Sequence, residues 1–134
     1  MADIKTLTEW TLAQLKRSGG LVYDGMVPAS VPLQTNGEIK PYVAVWTQPL
    51  REHDEQPLSY TSSETAGDLR ITVAGPTPGT VRSWSQGVIR ALNRVTAPGG
   101  GEYRHVPPHV PISFDETVAP GRYYQPLTFS FQQP

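Results

Sequence analysis

His105 and His109, four residues apart, are the first pair in this chain whose type and spacing bear on metal chemistry. In an extended segment both point to one side, but the strand rise sets them about 13 Å apart, too far for one ion. A turn at Pro107-Pro108 would bring them closer, yet no acidic or histidine third ligand sits nearby in the sequence. Solvent-exposed loop histidines are the ordinary reading. The row Arg51-Glu52-His53-Asp54-Glu55 holds general acid and base types, although charges in a row normally form a solvated loop. No Gly-x-Ser-x-Gly elbow exists to present a nucleophile. Gly75-Pro76-Thr77-Pro78-Gly79-Thr80 follows a strand-like run and opens a helical one, the setting in which helix N-termini bind anions. Two prolines remove donors from that cradle and no Gly-Lys-Ser/Thr is present, so it reads as a loop and cap. These residues imply no catalytic constellation, cofactor or metal.

The elements that would position them are clearer. Over residues 3–18, Ile4, Leu7, Leu12 and Leu15 fall within about 140° of one another, with Thr8 and Thr11 in the same stripe. An amphipathic helix follows, capped by Asp3, with Thr6 and Glu9 as a second capping box and Gly19-Gly20 as its stop. Trp10 lies about 60° outside that stripe, which makes it the best candidate for an interface aromatic. Leu21 to Tyr23 reads as a strand ending in a turn or bulge at Asp24-Gly25, and the Asn36-Gly37 turn leads into a strand from Pro41 to Thr47. Val43 and Val45 would share one face, with Tyr42, Ala44 and Trp46 on the other.

Residues 48–67 are polar and too long for a plain connection, which suggests an extended hairpin or arm with a function. Leu69, Ile71 and Val73 then alternate with Arg70, Thr72 and Ala74 and end at Gly75-Pro76. Thr77-Pro78 opens a second helix, in which Val81, Trp84, Val88, Leu92 and Val95 form one stripe, with Arg82, Arg90 and Arg94 opposite. Pro98 and the glycines after it end it. A weak strand from Tyr103 to Phe114 is broken by prolines, and 122–132 alternates cleanly, with Leu127, Phe129 and Phe131 on one face. The expected fold is α+β, with two helices on one face of a four- to five-stranded, mostly antiparallel sheet in the order α-β-β-β-α-β-β.

Composition narrows the partners. At 134 residues the chain is expected to form a single domain, 1–134, with one core. Its 14 prolines and 12 glycines give long loops without reaching the level of disorder. A net charge of −1 supplies no general pull toward nucleic acid or anionic lipid. The absence of cysteine excludes disulfides and thiolate metal sites. MADIKTLTEW has no apolar signal core, and no 18-residue apolar run occurs, so a soluble protein without a cleaved signal is expected.

The N-terminal helix, Val22-Tyr23-Asp24-Gly25 with Val27-Pro28, and then Pro41-Tyr42-Val43-Ala44-Val45-Trp46 after a loop resemble the N-terminal half of the tail terminator (tail completion) proteins of long-tailed bacteriophages. The spacing continues through the third strand and second helix. The resemblance implies a hexameric ring on the last ring of the tail tube, which stops tube growth and presents a surface for head attachment. Its partners would be further copies of itself, the major tail tube protein and a neck or head-completion protein. The ring would lie at the head-proximal end of the virion tail after assembly in the host cytoplasm, with a lumen for DNA passage and no sequence-specific nucleic-acid binding.

The family carries no catalytic residues, cofactor or metal to these positions. Exposure arguments alone nominate Trp10, Arg51, Glu52, His53, Asp54, Glu55, Arg82, Arg90 and Arg94 for subunit or partner contacts. Rival readings are a head-tail connector or other neck protein, a small hydrolase or metal-dependent enzyme using His53, His105 or His109, and a host peptide-binding module.

Overall fold

Both helices begin where the sequence offers a side-chain acceptor. The computed structural model describes residues 3–17, 20–48, 51–52, 65–107 and 110–133. Helix α1, Ile4–Lys16, is capped by Asp3, whose carboxylate accepts the Thr6 N–H at 2.8 Å. That bond stabilises the anion and holds the Asp3 carboxyl below its ordinary pKa. Helix α2, Pro78–Leu92, is capped by Thr77, which accepts from the Thr80 N–H at 3.1 Å, with proline in the first turn where its missing donor matters least.

Among the described residues seven strands form one sheet: β1 (Leu21–Asp24), β2 (Tyr42–Thr47), β3 (Arg51–Glu52), β4 (Thr65–Gly75), β5 (Glu102–His105), β6 (Ser113–Asp115) and β7 (Arg122–Gln133). The lateral order is β1-β2-β4-β7-β5, with β3 on β4 and β6 on β7. Among the described strands only β1 and β2 pair in parallel. The α+β class and the mostly antiparallel sheet agree with expectation, and the strand count and element order match roughly but not in full. The short strands β3 and β6 are additional, giving α-β-β-β-β-α-β-β-β. The weak segment from Tyr103 to Phe114 is two strands, both paired to β7.

Alternation decides the faces. Val43, Val45, Leu69, Ile71, Val73, Leu127, Phe129 and Phe131 are buried with Leu7, Leu15, Val81, Val88 and Leu92, so both helices cover one face of the sheet. On the opposite face a second cluster forms where Val31 and Ile39 fold down onto Tyr42 and Ala74. The segment carrying them reverses at Gly37, whose φ of 87° suits glycine, and the Gln34 N–H reaches the Glu38 carbonyl at 2.7 Å. The loop between β1 and β2 therefore covers part of the far face. All eleven residues of β4 find partners on β7, from Thr65↔Gln133 to Gly75↔Tyr123, while β2 covers only the Leu69 to Ala74 part. β3 pairs with the remaining end through Arg51↔Ala66 and Glu52↔Thr65.

The second helix is shorter than its apolar stripe. It ends at Leu92, so Val95 and Arg94 are not part of it. Asn93 turns extended, with ψ 120°, and Arg94 adopts φ 63° so that its N–H meets the Tyr103 carbonyl at 2.8 Å. A bridge from Asn93 to Tyr103 in β5 overrides the local helical pattern.

Candidate assembly surfaces

The sheet has two lateral edges, and they are finished differently. β5 is shielded on its outer side: Arg94 donates to the Tyr103 carbonyl, the Asn93 side chain accepts the His105 N–H at 2.9 Å, and Thr96 bridges Glu102. β1 is the terminal strand at the other edge, and among the described residues its only strand partner is β2. Among the described residues β6 pairs with β7 alone, beside β5 on the same side of the sheet. Unpaired strand edges are pairing sites for other chains, and short strands or covering segments blunt them. Among the described residues β5 has a covering segment, whereas no such segment pairs with the outer sides of β1 and β6.

On the far face the cover ends after the Tyr42 row. Trp46, 42 % exposed, lies in one cross-strand row with exposed Arg70 and Thr128. Asp68, Ser130 and Arg104 form the next row, and Arg104 is ion-paired to Glu102 within β5. Near the covered end, Arg122 is buried with its Nη1 donating to the Tyr42 hydroxyl at 3.0 Å and its guanidinium 5.7 Å from the ring centroid.

Among the nominated residues, Trp10, Arg82, Arg90 and Arg94 have described side chains. Trp10 is half-buried and stacks on Tyr103, with ring centroids 6.4 Å apart and planes at 18°. It packs against the main core, so this aromatic has an intramolecular partner that helix geometry alone does not reveal. Arg82 and Arg90 are exposed on α2, a helix without an acidic residue. Arg94 is exposed beyond the helix end and does not continue their row. Arg51 and Glu52 are placed as backbone pairs of β4, and His53, Asp54 and Glu55 lie outside the described residues. His105 sits beside Phe129, 5.3 Å between ring centroids, whereas His53 and His109 are also outside the described residues. Among the described residues no three His, Asp or Glu side chains gather as a metal site, and no helix is long and apolar enough to cross a membrane.

One buried polar pair ties α1 to the sheet. The Thr11 hydroxyl donates to the Leu7 carbonyl at 2.8 Å, so the Tyr103 hydroxyl, 3.1 Å away, must be the donor to Thr11. Burial raises the Tyr103 pKa above the ordinary phenol value of 10.0, and the Thr11 bond only partly opposes that shift. The unfolded chain therefore loses this proton at lower pH than the folded one. The folded state binds more protons in that window, so stability falls as pH rises above about 10. Tyr103→Phe is expected to reduce this alkaline loss in urea titrations between neutral and strongly alkaline pH. An unchanged slope would place the titration elsewhere.

No protein-family model matches the chain, and no curated protein matches it.

Proposed function

We propose that the chain is a structural subunit of a long-tailed phage virion, a tail terminator whose copies form a ring on the end of the tail tube. The ring stops tube growth and offers its other surface to the neck. One observation carries the reading: among the described residues the α+β body has unpaired strand edges at opposite sides of its sheet, β1 and β6, while β5 is covered. Such a body suits head-to-tail association, in which one patch meets a different patch on the next copy and rotation closes the ring. The quoted resemblance supports the same role. Val22-Tyr23-Asp24 lies in β1, Gly25 turns at φ 71°, and Tyr42 to Trp46 lies in β2. The subunit would act through shape and surface, without making or breaking a bond.

Co-sedimentation with assembled tail tubes and with portal complexes tests this assignment. Binding to tubes supports it; binding to portal alone favours a connector. The acid-free outer side of α2 would contribute a cationic contact. Arg82→Ala with Arg90→Ala should leave stability within about 0.5 kcal/mol and reduce tube binding, measured by thermal melting and co-sedimentation together. Unchanged tube binding would remove α2 from the contact surface.

A further inference from the structure

We infer that β1 of one copy pairs antiparallel with β6 of the next, with Leu21 opposite Asp115, Val22 opposite Phe114 and Tyr23 opposite Ser113. This inference deepens the ring reading and rests on it. Strand direction is the first ground. β2 runs with β1, and the steps from β2 to β4, β4 to β7 and β7 to β6 are each antiparallel, so β6 runs opposite to β1. A second copy brought alongside by rotation, without being turned over, presents β6 antiparallel to β1.

The faces agree as well. Val22 pairs with Val43 on the helix-covered face, and Phe114 pairs with Tyr123, which packs against the same core. A register setting Val22 against Phe114 continues that face across the joint. Phe114 is 52 % exposed in the single copy, although its ring lies 4.8 Å from Tyr123. Beside β1, Ile4, Thr8 and Leu12 of α1 line a groove with Asp24 and Thr47. The next copy's Phe114 would reach that groove.

Charge selects the direction. Exposed Lys16 and Arg17 close α1 at the start of β1, whereas Asp24 at its other end shares the groove with Glu9 and Lys5, which leaves that end net negative. β6 ends in Asp115 and is followed by exposed Glu116. Antiparallel pairing brings those two carboxylates toward Lys16 and Arg17; parallel pairing would drive them toward Asp24 and Glu9. Complementary charge fixes register and suppresses wrong pairings.

The chain has no cysteine, so an engineered pair reads the joint directly. Opposed residues on antiparallel strands have Cβ atoms about 4.5–5.5 Å apart, close to the range that a disulfide bridges. The double variant Tyr23→Cys, Ser113→Cys should give a ladder of covalent oligomers on mild oxidation, alone or bound to tail tubes, and neither single variant should. Glu116→Lys should weaken self-association about fivefold in sedimentation, and Lys16→Glu with Arg17→Glu should restore it in a charge-swapped chain. Matching circular dichroism spectra and melting temperatures would verify that each variant folds.

Covalent dimers from Tyr23→Cys alone would show β1 pairing with itself and overturn the joint. No ladder with or without tubes would overturn it too. Tube capping by a chain that gives no ladder sinks this joint and leaves the ring reading intact, whereas a ladder without tube binding supports the joint and sinks the tail role.

Discussion

Phe129→Ala is expected to lower the free energy of unfolding by about 4 kcal/mol, the cost of deleting a buried aromatic and leaving a cavity. Phe129 is fully buried in β7, between Leu69 of β4 and His105 of β5, and its ring meets Tyr103 edge-on at 6.3 Å. The cavity would open where the longest strand pair meets β5, and rigid neighbours on both sides limit collapse. A domain of this size has roughly 5–15 kcal/mol to lose, so the variant should unfold at far lower urea, with an unchanged slope if two-state behaviour holds. A loss below about 1.5 kcal/mol would mean that β7 is not the centre of the core.

Trp10→Ala is expected to cost about 2–3 kcal/mol of stability, below the range for a fully buried tryptophan because Trp10 is only half-buried. The loss comes from removing the ring stacked on Tyr103 and the cover that it gives the core between α1 and β5. Trp10→Phe should recover much of it. An interface aromatic would behave differently, leaving the isolated subunit's melting temperature unchanged while weakening association. Melting curves together with an association assay separate the two roles.

Much of the fold is legible because local and global preferences coincide. Asp3 and Thr77 cap the helices as their side chains allow, and Val43, Val45, Leu69, Ile71, Val73, Leu127, Phe129 and Phe131 alternate into one face. The misses share a cause. The stripe through Val95 predicts a longer helix, but the Arg94 N–H is taken by the Tyr103 carbonyl. Trp10 looks unpartnered on a helical wheel because the wheel cannot show that β5 delivers Tyr103 beneath it. β6 is three residues long, follows a proline-broken segment and becomes a strand only through its register with Tyr123 and Tyr124.

The surfaces are less legible than the core. Which strands end a sheet depends on the lateral order, and no local pattern in Leu21–Asp24 or Ser113–Asp115 announces an unpaired edge. Alternation at Ser113-Phe114-Asp115 was the available signal, weakened by Pro111 just before it. Of the nominated contacts, Arg82 and Arg90 remain exposed on one helix, while Arg94 leaves that row because of the same β5 bridge that ends α2.

Negative-stain imaging of the purified chain, alone and mixed with assembled tail tubes, tests the proposed role most directly. The expected images show a ring seated on one end of each tube, with tube elongation halted when the ring is present. Tubes that stay bare and continue to grow, beside isolated single subunits, would contradict it.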